Sequence, residues 1–290
     1  MSSGVLEDGA FLDRQYNPRT QVPQFAEFFS RMKRRAREAR DSTQVQLDVR
    51  YGPAAAETLD FFPAAGAGRP LLVFLHGGYW RALDKEDFSW IVPPYVAEGI
   101  SVAVVNYGLA PATPMAQIVE QTRRACIWLH QNARALNIEP GRLVCAGHSA
   151  GGHLTAMMLA TEWPAIAPQL PRRLLSGAVA ISGLFDLEPL TRADFLRHDL
   201  QLDEASARRL SPAFLPWHND VSLLRAVGAL ESSEFHRQSE LIAQHWKLAC
   251  ERELIDVPEC NHFSVCEAFA APDSVLFQAA RSVILQSYIP

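Results

Sequence analysis

Hydrophobic and polar positions change rhythm in blocks along this chain. Gln46 to Tyr51 alternates residue by residue, the pattern of a half-buried strand. Thr58 to Phe62 is its expected hairpin partner across Gly52-Pro53. Pro70 to Leu75, Ser101 to Asn106 and Leu143 to Ala146 are instead near-continuous apolar runs, as strands buried on both faces require. Gly177 to Ser182, Leu223 to Leu230 and Glu253 to Val257 extend the series. Helix-like stretches separate them: Gln24 to Arg40, one between the first two buried strands, Pro114 to Leu136 with proline at its start, His153 to Thr161, and Phe277 to Tyr288. Strands alternating with helices predict an α/β fold, a mostly parallel, doubly wound sheet with helices on both faces. Residues 187–216 lack strand character and hold short helical pieces, which fit either a surface helix pair or a lid over a site. No repeat, low-complexity tract or linker divides the chain, so residues 1–290 read as one domain. Within it, residues 1–40 read as a polar, turn-rich wrapping segment followed by a helix.

Composition narrows the partners. The chain has 290 residues and is 48% hydrophobic, and a chain of this length buries roughly 75% of its unfolded surface without disulfide staples. A net charge of −5 leaves no basic excess to neutralise phosphates, so a nucleic acid is not an expected partner. The basic run Arg31 to Arg40 alternates with apolar positions and reads as the solvated face of an amphipathic helix. Cys126, Cys145, Cys250, Cys260 and Cys266 show no C-x-x-C spacing, which suggests free thiols in a reducing compartment. Cys145 lies inside a buried run and reads as a small core residue. No apolar run reaches the length of a membrane span, and Met1 to Ala10 carries acids rather than an apolar core. The expected location is the cytoplasm, with no membrane partner and a small-molecule substrate; a homodimer stays open.

The chemistry centres on Gly147-His148-Ser149-Ala150-Gly151, between the Leu143 strand and the His153 helix. Strand, sharp turn and helix with serine at the apex form the G-x-S-x-G nucleophile elbow of α/β-hydrolases. A serine hydroxyl needs a base to take its proton and donors to hold the oxyanion that forms. His262, on the loop Glu259 to Phe263, is the base that the chain order serine, acid, histidine selects. His148 is set aside as a base because the second elbow residue is expected to face away from the reaction centre, and His153 is expected to pack within its helix. The acid should follow a strand between Ser149 and His262. Glu231, directly after Leu223 to Leu230, ranks ahead of Asp186, and Asp256 is too close to the histidine to come from a separate loop.

His76-Gly77-Gly78-Tyr79-Trp80 follows the Pro70 to Leu75 strand, where an HGGG-type oxyanion loop stands in this fold. The expected donors are the N–H groups of Gly78, Tyr79 and Ala150, with Gly77 shaping the turn and His76 bracing it. The substrate pocket is expected to draw on Tyr79, Trp80, His148 and Phe185, with plain packing the alternative for the loop aromatics. No metal or organic cofactor is needed for such chemistry.

The chain resembles kynurenine formamidases (arylformamidases) of the α/β-hydrolase fold, and also hormone-sensitive-lipase-like esterases. Five segments carry the resemblance: Leu12-Asp13-Arg14-Gln15-Tyr16-Asn17, His76 to Trp80, Gly147 to Leu154, Ile181 to Leu187, and Glu234-Phe235-His236-Arg237-Gln238-Ser239. It implies Ser149 as nucleophile, His262 as base, an acid at position 231, and hydrolysis of N-formyl-L-kynurenine through an acyl-enzyme. The family acid is usually aspartate, whereas this sequence has Glu231; proline often stands two residues later, whereas this sequence has Ser233. Asp186 therefore stays open. The same motifs occur in carboxylesterases acting on small acyl esters. A non-catalytic binding protein of this fold is the remote alternative, since such proteins usually lack a triad member.

Overall fold

Eight strands, β1 (Gln46–Arg50), β2 (Thr58–Phe62), β3 (Arg69–Leu75), β4 (Ser101–Val105), β5 (Ile138–His148), β6 (Gly177–Ile181), β7 (Leu223–Gly228) and β8 (Leu254–Val257), make one sheet in a computed structural model that describes residues 8–217, 221–247 and 254–286. Their order across the sheet is β1-β2-β4-β3-β5-β6-β7-β8. β1 and β2 pair antiparallel, β2 pairs antiparallel with β4, and every later pairing is parallel. This is the α/β-hydrolase fold.

The continuous apolar runs have the cause that the sequence suggests. Leu71, Val73, Leu75, Leu143 and Cys145 face one core, while Leu72, Phe74, Val144 and Ala146 face the other. Successive side chains of a strand point to opposite sides, so two apolar layers demand an unbroken run. The first layer packs against the helices Met115–Asn132, Ala150–Leu159 and Ser233–Trp246. The second packs against Phe25–Ser42, Val92–Ala97 and Val275–Gln286.

Several elements differ from expectation. β1 is a mostly exposed edge strand rather than a half-buried one, with a register shift between Gln46 and Val49 and Asp48 at φ 54°. β5 starts at Ile138, well before the apolar run: Ile138 pairs with Arg69, Glu139 to Arg142 stand partly in solvent across a register shift, and regular pairing with β3 resumes at Leu143. The segment before Phe25 is helical: Gly9–Tyr16 and Pro18–Gln21 form two short helices, and Leu12 and Tyr16 are fully buried. The basic face of Phe25–Ser42 is partly docked, not simply solvated. Arg31 and Arg35 both reach Glu267, and the Arg35 guanidinium lies 4.8 Å over the Trp90 ring. Cys250, Glu253 and Tyr288 lie outside the described residues. No helix among the described residues is long and apolar enough to cross a membrane.

The parallel strands place the candidate chemistry on one edge. β3, β5, β7 and β8 end just before the glycine loop, Ser149, Glu231 and the His262 loop respectively. In open α/β sheets the carboxyl ends of the strands form the ligand crevice. Leu230 N–H donates to the Cys260 carbonyl at 2.9 Å and Ala229 N–H to that of Val257 at 3.0 Å, stitching the loops after β7 and β8 together.

Candidate active site

β5 delivers the chain to Ser149, which has φ 57° and ψ −117° and caps the helix Ala150–Leu159. A positive φ is costly for a residue with a Cβ and persists only where the surroundings enforce it. Here Ser149 N–H donates to the Ile181 carbonyl at 2.8 Å. Gly151 enforces the rest: a Cβ there would lie 1.9 Å from the Leu75 carbonyl oxygen, so only glycine lets the helix sit this close to β3.

His262 is held on every side. Its Nδ1 lies 2.6 Å from Glu231 Oε2. Its ring packs between Phe235, with centroids 4.4 Å apart, and His148, 4.7 Å away. The Asn261 side chain accepts from the N–H groups of Phe263 and Ser264, fixing the loop. The other Glu231 oxygen accepts from Ser182 Oγ at 2.5 Å and from Gly228 N–H at 2.8 Å. A buried carboxylate with all of these partners orients the imidazole and leaves Nε2 for a proton acceptor's role. Asp186 does not join them. Its side chain accepts from Glu188 N–H and sits 3.6 Å from Arg237, and its pKa is raised chiefly by burial.

The glycine loop makes a tight turn in which Arg81 and Ala82 N–H both donate to the Gly78 carbonyl. Gly78 has φ 108°, and a Cβ there would collide with the Ala82 carbonyl oxygen at 2.2 Å. Tyr79 and Trp80 also have positive φ, 51° and 55°. Among the described residues, none accepts from the N–H groups of Gly78 or Tyr79, and Ala150 stands in the first helical turn, where N–H groups have no partner within the helix. His76 is fully buried; its ring stacks on Tyr107 at 4.1 Å and its Nδ1 lies 2.8 Å from the Gly77 carbonyl. Burial holds its pKa below the usual value, so a neutral ring braces the loop.

A cavity of about 420 Å³ opens on these groups, with Gly77, Gly78, Tyr79, His148, Ser149 and His262 in its wall. The sequence-based pocket needs correction at two positions. Trp80 is fully buried, its ring edge-on to His153, and Phe185 is fully buried against Gly183; neither lines the cavity. His148 does line it, and it stands beside His262 rather than facing away. Phe28, Phe29 and Met32 from the helix Phe25–Ser42, and Asn17, Pro18 and Arg19 just before it, form much of the remaining wall. Composition and spacing gave no signal for them. The placement of Leu12 to Asn17 among the family-like segments was the one available clue.

The chain is 32% identical to the kynurenine formamidase of Danio rerio, over 95% of this chain and 96% of that protein. The chain belongs to the kynurenine formamidase family. A solved Silicibacter sp. TM1040 protein, described as a candidate thioesterase, superposes with a TM-score of 0.83 at 31% identity, covering 94% of this chain and 98% of the other. The BD-FAE family model matches residues 59–169. Carboxylic ester hydrolase LipN of Mycobacterium tuberculosis is 36% identical over a shorter stretch, 42% of this chain and 34% of that protein.

Two of the segments that carry the kynurenine formamidase resemblance meet in space. Tyr16 hydroxyl donates to Glu234 and accepts from Gln238 at 2.9 Å, and Ser232 Oγ donates to the Gln15 carbonyl at 2.6 Å. Gln238 also ties in a third, accepting from the N–H groups of Phe185 and Asp186. Glutamate at 231, where the family usually has aspartate, fits its surroundings: the longer side chain spans His262 on one oxygen and Ser182 with Gly228 on the other. Ser182, another residue at positive φ, 48°, is a site residue that sequence reasoning passed over.

Proposed function

We propose that this protein hydrolyses N-formyl-L-kynurenine to kynurenine and formate through a formyl-enzyme on Ser149. His262 takes the Ser149 proton as Oγ attacks the formyl carbon. Gly78, Tyr79 and Ala150 N–H groups hold the oxyanion, each worth roughly 2.7–4 kcal/mol. His262 then gives the proton to the departing aryl amine as the C–N bond breaks. Water, deprotonated by the same imidazole, releases formate and restores the serine. Glu231 keeps His262 in the tautomer with Nδ1–H and stabilises its charged form.

The observation that carries this reading is the His262–Glu231 contact of 2.6 Å beside the same aromatic cavity that holds strained Ser149 and the glycine loop. Full-length similarity to a kynurenine formamidase supports the substrate. In this reading residues 187–216 cap the cavity, supported by Phe195 and Asp199 in its wall. A cytoplasmic site of action suits Cys126, Cys145, Cys260 and Cys266, which are all free thiols.

The partial likeness to an ester hydrolase favours a second reading, a carboxylesterase for small acyl esters. Comparing kcat/KM for N-formyl-L-kynurenine with that for p-nitrophenyl acetate separates the two. A far higher value for the ester replaces the formamidase reading with the esterase one.

A further inference from the structure

We infer that Arg81 and Asp199 read the zwitterionic amino-acid end of the substrate, and so select an N-formylated aryl amino acid over neutral aryl formamides and esters. The inference rests on the formamidase reading above and adds a specificity device to it.

The cavity wall is mostly aromatic and aliphatic, which suits an aryl ring but cannot recognise charge. One ion pair interrupts it. Arg81 comes from the loop that carries Gly78 and Tyr79, and Asp199 from the helix Asp194–Leu200 in the 187–216 segment. Arg81 Nη1 is committed: it donates to Asp199 and, at 2.7 Å, to the Phe195 carbonyl. Its Nε and Nη2 donate to no described residue. That free edge is the two-pronged fork that binds a carboxylate with parallel hydrogen bonds. Asp199 spends one oxygen on Arg81 and leaves Oδ1 without a donor among the described residues. The pair is only half-buried, with side chains 27% and 36% exposed, so both groups are reachable.

The chemistry matches at both ends. An α-amino acid carries one carboxylate and one ammonium on the same carbon. A guanidinium and a carboxylate held side by side present the complementary charges, and a neutral ligand forgoes those bonds, leaving the Arg81–Asp199 pair to each other and to solvent. A site that offers charge-assisted hydrogen bonds discriminates against a ligand that cannot make them. Arg19 is the other guanidinium at the cavity, but it is exposed and lies over the Phe25 and Phe29 rings at 5.4 and 5.8 Å. It belongs to the rim.

The test uses two formamides with the same ring and the same scissile bond, N-formyl-L-kynurenine and N-formyl-2-aminoacetophenone, which lacks the amino-acid end. The readout is the ratio of their kcat/KM values in the wild type and in Arg81→Gln, Asp199→Asn, Arg81→Lys and Arg19→Gln. The wild type should favour N-formyl-L-kynurenine. Arg81→Gln should lower that preference on the order of 100-fold, mainly through KM, Asp199→Asn should lower it in the same direction, and Arg81→Lys should restore part of it. Because a ratio is read, a variant that merely folds poorly loses both activities together, and that outcome assigns Arg81 to loop support and overturns the inference. A wild type without preference, or a preference lost in Arg19→Gln instead, also overturns it while leaving the formamidase reading standing. Should the wild type cleave neither formamide but turn over p-nitrophenyl acetate, the formamidase reading itself fails and the inference falls with it.

Discussion

His148 Nε2 lies 2.8 Å from the carbonyl oxygen of His262. The residue before the proposed nucleophile thus holds the backbone of the proposed base. The acceptor is a carbonyl, so Nε2 carries the proton and donates. Burial first, then the neighbouring His262, holds the His148 pKa well below the usual histidine value, which keeps the ring neutral and the bond intact. His148→Ala removes this tether while leaving Glu231 on Nδ1 of His262. A misplacement near 1 Å costs on the order of 10²-fold in rate, so kcat should fall by about that factor with a smaller change in KM. Steady-state kinetics on N-formyl-L-kynurenine check it. Wild-type kcat in the variant would show that the tether is structural decoration.

Glu231 and Asp186 compete for the acid's role, and the geometry favours Glu231. Glu231→Gln should lower kcat on the order of 10⁴-fold, because the amide no longer stabilises the charged imidazole. Asp186→Ala should lower it by less than about 10-fold, since Asp186 touches neither Ser149 nor His262 and the loss of a buried carboxylate beside Arg237 acts mainly on stability. The reverse order would return the assignment to Asp186.

Gly78→Ala places a methyl group 2.2 Å from the Ala82 carbonyl oxygen at a backbone φ of 108°. The loop must reopen, which removes the Gly78 and Tyr79 N–H groups from the oxyanion. Loss of one such donor costs about 10² to 10³ in kcat, so the variant should fall at least that far. Titrating Ser149 with a fluorophosphonate separates this from unfolding: labelling should persist, slowed, in folded protein.

Much of this site was legible because its chemistry is local in sequence. The elbow, the glycine loop and the position of His262 each follow a strand end, and strands buried on both faces advertise themselves as unbroken apolar runs. Glu231 could be ranked first from chain order alone, but not separated from Asp186, because both follow strands. What favours Glu231 is the join of the β7 and β8 loops through Leu230 and Cys260, a contact across the sheet edge that no local pattern encodes. The pocket was read poorly for the same reason. Trp80 and Phe185 sit near motif residues in sequence yet turn into the core, while Phe28, Phe29 and Arg19 reach the cavity from the other end of the chain. Ser182 was hidden because its role depends on a positive φ and on Glu231 arriving from the next strand.

The first helix is tied to the glycine loop, since Tyr79 hydroxyl donates to the Tyr16 carbonyl while the Tyr16 hydroxyl engages Glu234, Gln238 and Arg237. Tyr16→Phe removes only the hydroxyl from this buried cluster and keeps the carbonyl that Tyr79 uses. Leaving buried polar groups short of a partner costs about 1–3 kcal/mol, so the urea midpoint should drop accordingly while kcat changes little. Tyr79→Phe should do the opposite, with a modest stability loss and a clear fall in kcat as the loop loses its anchor. Equal effects of the two variants on kcat would mean that the Tyr79 hydroxyl is not what anchors the loop.

His153 gives the fold an acid limb. It is fully buried in the elbow helix, its Nε2 2.7 Å from the Leu210 carbonyl and its ring edge-on to Trp80. Burial lowers its pKa from 6.5 to about 4, partly offset by that hydrogen bond. The unfolded chain binds a proton near pH 6.5, while the native state resists until about pH 4. Between these values the unfolded state holds more protons, so stability falls as pH drops through the window and levels off below it. The difference amounts to about 3 kcal/mol across the whole window, as an order of magnitude. His153→Gln can still donate to Leu210 but does not titrate, so its stability should be flatter than that of the wild type from pH 6.5 to about 4. Urea unfolding at half-unit pH steps measures both curves. Parallel curves through that window would mean that His153 titrates in the native state much as it does in the unfolded chain.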